Sequence, residues 1–331
     1  MCILRRKAPN SGPIRPIRDP CAPGWTGTFV HVTATYGGTA AHLRGWIAMT
    51  SNNQLSITEH RPEGSGTEGP IIVLVHGSLD SSRSFGRVLR RLSDVHTVAY
   101  DRRGYQRSRQ VLPLGSTLDE HVDDLLSVIG GRPAVVVGHS YGGSIALGAA
   151  LRPGPSPIRA VVAYEPPMPW LEHAMGIPGR TATSPAWAAV DPNDPQKAGA
   201  EAERFFRRMV GDAAWDRLPD DAKDDRRADG PALAAELNAI RVTEAPFDVA
   251  TMRVPVIYGM GGDAMIRRRD AVRWLVEHTP DSEEAIIPGA DHGAHLTHPD
   301  AFAALARSAL TRTASTRSAT VRPGASTGTQ R

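Results

Sequence analysis

The residues best placed to do chemistry lie at Gly138-His139-Ser140-Tyr141-Gly142-Gly143. A buried-strand pattern, Ala134–Val137, runs straight into them, and a small-residue helix pattern, Ser144–Leu151, follows. A chain that turns from strand to helix within one or two residues must strain the residue at the turn, which exposes its side chain. Glycines on either side are required where a Cβ would strike the packed strand or helix. Ser140 is therefore the candidate nucleophile, and the helix beginning after it directs its positive dipole end toward developing negative charge.

Nucleophilic serine chemistry needs an oxyanion site, a base and an acid to orient the base. Val73-Leu74-Val75-His76-Gly77-Ser78 ends an earlier buried strand, and Gly77 permits a turn that aims a backbone N–H at the nucleophile. The expected oxyanion donors are the backbone N–H groups of Ser78 and Tyr141, with Leu79 the weaker alternative to Ser78. His76 reads as a packed histidine that steadies this loop. Late in the chain, Ile286-Ile287-Pro288-Gly289-Ala290-Asp291-His292 places a histidine just past a strand, so His292 is the candidate general base. The acid belongs on a loop after a neighbouring strand. Asp263, after Val254–Tyr258 and Gly259-Met260-Gly261-Gly262, is the favoured candidate. Glu165, in Tyr164-Glu165-Pro166-Pro167, is the alternative. His292, His295 and His298 share no helical face and lack a completing ligand set, so neither a metal nor a cofactor is expected.

From residue 70 onward strand and helix patterns alternate, as in a mostly parallel central sheet with helices on both faces, an α/β fold class. Ile71–Val75, Val95–Tyr100, Ala134–Val137, Ile158–Tyr164, Val254–Tyr258 and Glu284–Ile287 read as strands. Ser82–Leu92, Thr117–Ile129, Ser144–Leu151, Arg269–His278 and Pro299–Leu310 read as helices. Trp46–Thr50 and Gln54–His60 read as two further strands about a polar turn, with Met49 a candidate start. Residues 166–252 break the alternation, with helical segments at Ala198–Val210 and Pro231–Ile240, and read as an inserted helical cap. The organisation expected is an irregular extension over 1–44, a core over 45–165 and 253–311, the cap between its halves, and a disordered tail over 312–331.

Charge follows the same division. Six cations and one acid in residues 1–46, and four arginines without an acid in 312–331, account for more than the formal net charge of +3, leaving about −6 between them. Basicity confined to the chain ends argues against a nucleic-acid-binding body. Cys2 and Cys21 both lie in the N-terminal extension and form no framework for the core. No apolar run reaches membrane-spanning length, and no apolar stretch follows the basic start. The expectation is a cytoplasmic enzyme with a small-molecule substrate and no nucleic-acid or membrane partner.

Together these motifs resemble the α/β-hydrolase superfamily over about residues 45–312. The resemblance rests on His76-Gly77, Asp101-Arg102-Arg103-Gly104-Tyr105-Gln106-Arg107-Ser108, the turn at 138–143, and the Asp263 and His292 loops in their order Ser, Asp, His. His295 and His298 fall in a His292–Pro299 stretch common in that family. Gln106 stands where the family usually has glycine, and the Met260–Gly262 turn is slightly long. The resemblance implies an acyl-enzyme serine hydrolase, first of all on a carboxylic ester. Thioester or C–C hydrolysis, cofactor-free perhydrolysis and low-turnover ligand binding are the alternatives on the same fold. Trp170, Trp187, Phe205, Phe206 and Trp215 are the candidate pocket aromatics, each of which also suits simple packing of cap on core.

Overall fold

The computed structural model describes residues 47–49, 54–63, 69–115, 117–174, 189–240 and 244–320. The expected extension over 1–44, the candidate pocket residue Trp187 and the last residues of the tail lie outside the described residues. An eight-stranded sheet runs in the order β1-β2-β4-β3-β5-β6-β7-β8. Its strands are β1 Ile47–Met49, β2 Ile57–His60, β3 Ile71–Val75, β4 Thr97–Tyr100, β5 Ala134–His139, β6 Ile158–Tyr164, β7 Val256–Gly261 and β8 Ser282–Ile287. β3 to β8 pair in parallel, while β1 and β2 form an antiparallel edge against β4.

The continuous apolar runs of the inner strands reflect burial on both faces. Ile71, Val73 and Val75 enter one core with Val122, Leu125, Ile145 and Val272. Ile72 and Leu74, the alternate residues, enter the other with Phe85, Val88, Leu92 and Phe302. The first core lies under α2 Leu118–Ile129, α3 Tyr141–Ala150 and α9 Ile266–His278. The second lies under α1 Gly86–Arg91 and the C-terminal helix, Pro299–Thr320. Thr117 and Glu120 form a reciprocal capping box at the start of α2, and Gly130 ends it in the left-handed region. The helix expected over Ser82–Leu92 is a 3₁₀ turn, Ser82–Phe85, followed by α1.

The tail departs from expectation: helical backbone continues through Thr320 rather than ending at Leu310. Arg312 anchors this extra length by pairing with Asp281 and Glu283, and Thr313 Oγ1 donates to the Leu310 carbonyl at 2.7 Å. Polar composition suggested disorder there, but a helix already docked on the sheet extends readily, since nucleation is the costly step. Among the described residues no helix is long and apolar enough to cross a membrane.

Between β6 and β7, in the stretch expected to be a cap, the described residues form α4 Pro169–Ala174, α5 Pro195–Val210, α6 Asp212–Asp216, α7 Asp220–Ala228 and α8 Gly230–Ala239. α8 meets the segment 101–109, as α7 does through Asp225 and Arg109, and the contact at the start of α8 explains the unusual glutamine there. Gln106 adopts φ 46°, the region glycine favours. Its backbone N–H and its side-chain amide both donate to the Asp229 carboxylate, at 3.0 and 2.7 Å, with Arg109 Nε at 2.8 Å. A glycine would supply only the first of those two bonds. Gly104, φ 79°, lies under Ala232 with no room for a Cβ.

Gly230 opens α8 against the Ala198 carbonyl of α5. Gly230→Ala should lower stability by about 1–3 kcal/mol through overpacking at that crossing. Gly86→Ala, at a helical position with open space around it, should be neutral or stabilising by up to about 1 kcal/mol. Thermal unfolding of the two variants beside the parent chain checks the contrast.

Candidate active site

Ser140 ends β5 with φ 53° and ψ −126°, the strained turn expected of it. Its N–H donates to the Tyr164 carbonyl of β6 at 2.8 Å, and its carbonyl accepts from Gly143 N at 2.7 Å. A Cβ on Gly138 would strike the Gly142 backbone, and one on Gly142 would strike the Val75 carbonyl of β3. The turn is thus clamped by β3, β6 and its own helix. Gly77 lies on the other side, so close that a Cβ there would stand 2.9 Å from Ser140 Cβ. The loop after β3 and the candidate nucleophile therefore touch. Among the described residues neither the Ser78 nor the Tyr141 backbone N–H has a protein partner, which leaves both donors free for a ligand.

His292 follows β8, and its Nδ1–H donates to Glu165 Oε2 at 2.8 Å. This leaves Nε2 as the unprotonated nitrogen. The His139 ring, next to Ser140 in the chain, lies 4.7 Å from the His292 ring, and His139 Nε2–H donates to the His292 carbonyl at 2.8 Å. His292 and the segment carrying Ser140 are thereby tied together. Among the described residues no direct hydrogen bond joins Ser140 to His292.

The structure pairs His292 with Glu165, not with Asp263. Asp263 is exposed, and what reaches the His292 loop is its main chain, whose N–H donates to the Ala290 carbonyl at 2.9 Å. β7 runs on through Gly261, so Met260 and Gly261 of the long Met260–Gly262 stretch are strand, and Asp263 sits in the turn beyond it with its side chain exposed. Glu165 leaves β6 with φ 42° and is fully buried. Its Oε1 accepts from Gly261 N at 3.0 Å, and its Oε2 accepts from Arg268 Nη1 at 3.0 Å as well as from His292.

Burial by itself would raise the Glu165 carboxyl, but the hydrogen bond from His292, the Gly261 N–H and the Arg268 charge hold it below its ordinary value. Burial lowers His292, and the Arg268 charge adds to this, while Glu165 opposes both; the net position is below 6.5. The imidazole is accordingly neutral near pH 7, the form that accepts a proton.

The loop after β3 is held by His76, read above as a packed histidine, and by Arg102 and Glu236, to which sequence reading gave no such role. His76 Nε2 accepts from Arg102 N at 2.9 Å, so its Nδ1–H faces the Gly77 carbonyl at 2.8 Å. Burial, with Arg102 nearby, pushes this histidine down to about 4. Arg102 Nη2 also donates to the Gly77 carbonyl at 2.9 Å. Arg102 itself is ion-paired with Glu236 of α8 at 2.7 Å, both side chains fully buried. An acid inside the apolar run Ala234-Ala235-Glu236-Leu237 was the available signal; such a residue seldom stays buried without a partner.

Of the candidate aromatics, Trp170 lines a cavity of about 300 Å³ together with Leu118, Tyr141, Ala239, Ile240 and Pro246. Phe205 and Phe206 pack on Leu79, Ala202 and Leu233. Trp215 is buried against Phe206 within the cap. The His292 and His295 rings both lie against the His139 ring, at 4.7 and 4.1 Å. Asp80, His139 and His295 bring ligand-type atoms within 4.8 Å of one another, with His295 Nε2 3.5 Å from the Asp80 carboxylate.

Residues 72–305 match the model of the alpha/beta hydrolase family, and the chain belongs to that family. It is 37% identical over 110 residues to the uncharacterized hydrolase YraK of Bacillus subtilis, covering 32% of this chain and 40% of that protein. It is 33% identical over 144 residues to the lipase LipV of Mycobacterium tuberculosis, covering 41% of this chain and 51% of that protein. The chain thus spans about half the length, or less, of these two relatives. The enol-lactonase of Burkholderia xenovorans LB400 superposes with a TM-score of 0.58 at 19% identity, over 78% of this chain and 97% of that one, which is a likeness of fold.

Followed by NMR, His292 should titrate below 6.5. Glu165→Gln should lower it further, because the carboxylate is the partner that favours the imidazolium, while Asp263→Asn should leave it in place.

Proposed function

We propose that this chain is a serine hydrolase acting through an acyl-enzyme, with Ser140 as nucleophile, His292 as general base and Glu165 as the acid that orients it. The observation carrying this reading is the buried Glu165–His292 hydrogen bond beside a serine held in a strained strand-to-helix turn. Ser140 Oγ attacks a carbonyl carbon as its proton passes to His292 Nε2. The carbonyl oxygen becomes an oxyanion held by the N–H groups of Ser78 and Tyr141. His292 returns the proton to the leaving alcohol, and water, activated by the same imidazole, releases the acid.

A small carboxylic ester is the substrate class that fits best. A cavity of about 300 Å³ lined mainly by apolar side chains, with Tyr141, the residue after Ser140, among them, would suit a short acyl or alkoxy group rather than a long chain or a polymer. Of the three α5 arginines, Arg204 pairs with Glu201 and Arg207 with Glu203, Asp212 and Asp216, while Arg208 lies over the Phe205 ring at 5.3 Å.

Intact mass after treatment with a fluorophosphonate should show one adduct on the parent chain and none on Ser140→Ala; an unmodified, folded parent chain would sink the proposal. With p-nitrophenyl acetate, Glu165→Gln should lower kcat by about 10³- to 10⁴-fold, as loss of a tautomer-fixing carboxylate does. Asp263→Asn should stay within about twofold, as an exposed substitution does. Catalysis needs neutral His292, so the rate should rise with pH through a midpoint below 6.5.

A further inference from the structure

The oxyanion loop is gripped from the cap as well as from the core. Glu236, on α8 of the cap, is fully buried. Its Oε1 accepts a hydrogen bond from the Ser78 hydroxyl. Its Oε2 accepts from Tyr105 Oη at 3.0 Å and faces Arg102 Nη1 at 2.7 Å. Arg102 in turn donates to the carbonyl of Gly77, the residue before Ser78. On the other side of Ser78, Leu79 holds a left-handed backbone, φ 51°, and is buried in the cluster of Ala202 and Leu233, both cap residues. Ser78 is therefore tethered through its own side chain, through the preceding carbonyl and through the following side chain. The first and last of these tethers end in the cap.

We infer that Glu236 is a positioning residue for the oxyanion hole, aiming the Ser78 N–H by holding the Ser78 hydroxyl and the Arg102 guanidinium. The inference rests on the reading of Ser140 as nucleophile and Ser78 N–H as oxyanion donor. Glu236 touches neither the reacting atoms nor the substrate in this scheme; it acts through Ser78. The physical reason for using an acid is reach and charge together. A carboxylate accepts from several donors at once, and its charge neutralises Arg102, which without it would be a buried, unpaired cation. A hydrogen bond to an ionised acceptor is also stiffer than a neutral one. Oxyanion stabilisation depends on donors fixed before the charge develops, so a loosened Ser78 slows the chemical step without weakening binding of the ground state. The functional hole is thus complete only with α8 docked on the 101–109 segment.

The test uses the full chain and a fluorophosphonate, whose attack by Ser140 places an oxygen in the same hole whatever the natural substrate is. Progress curves separate the inactivation rate constant from the binding constant for the parent chain, Ser78→Ala, Glu236→Gln and the double variant. Ser78→Ala is the mild probe, since it leaves Glu236 with Arg102 and Tyr105, and it serves if Glu236→Gln fails to fold. Each single variant is expected to lower the rate constant by about tenfold, a fraction of the loss from deleting an oxyanion donor outright. The binding constant should stay within about twofold, and the double variant should react no more slowly than Glu236→Gln alone, because both substitutions cut one link.

Rate constants within about twofold of the parent for folded Ser78→Ala would overturn the inference, as would a change confined to the binding constant. So would a loss in Ser78→Ala with none in folded Glu236→Gln, which would make the hydroxyl a direct contact instead. If the parent chain itself forms no adduct, the nucleophile reading has failed, an outcome distinct from all of these.

Discussion

Everything at the candidate site depends on one backbone constraint: the chain reverses from β5 into α3 at a single residue, Ser140, held at positive φ. That conformation is unfavourable for a residue with a Cβ and persists only because its surroundings leave no other path. Gly138 and Gly142 admit the Val75 carbonyl and the start of the helix where any side chain would collide, and Tyr164 O anchors the Ser140 N–H from the next strand. Three consecutive strands of the sheet, β3, β5 and β6, therefore converge on the turn. The same three strands deliver Ser78, Ser140 and Glu165 at their ends. The strain and the assembly of the site follow from one piece of packing.

The helices between β6 and β7 are tied into that arrangement by buried charge. α8 meets the core through two buried carboxylates, Asp229 at one end on Gln106 and Arg109, and Glu236 further along on Ser78, Arg102 and Tyr105. Buried charges paired in this way add little net stability compared with apolar contacts, but they are intolerant of misalignment, because a small slip leaves a charge desolvated and unpaired. α8 is thus held in one register against the loop that touches Ser140 through Gly77. Gln106, in a left-handed backbone usually given to glycine, is part of that register: its side chain supplies a bond that glycine could not.

Much of the core was legible in the sequence because its signals are local. Continuous β-branched runs such as Ile71–Val75 report burial on both faces, and the glycines about Ser140 report a turn that other residues cannot make. His292 was legible from its place just past a strand. What escaped was tertiary. Helix continuation past Leu310 depends on Arg312 finding Asp281 and Glu283, and Gln106 depends on Asp229, more than a hundred residues away. Glu236 carried only a hint, an acid among alanines and leucines, and its partners come from two separate loops of the core. No periodicity can show which buried charge meets which.

The exchange of Glu165 for Asp263 is the instructive case, since both were candidates on the same physical ground. β6 and β7 are adjacent parallel strands, so their C-terminal ends open on the same edge of the sheet, separated by roughly the 4.8 Å spacing between strands. Position alone therefore could not separate a carboxylate after one strand from a carboxylate after the other. Strand length decided between them. β7 stays paired with β8 through Gly261, which carries Asp263 past the site, whereas β6 ends at Tyr164 and turns at once at Glu165. The extra methylene of glutamate and the left-handed turn then return the carboxylate under β7, where the Gly261 N–H that a longer β7 provides receives it. The stretch that removes Asp263 from His292 is thus also the stretch that completes the seat of Glu165.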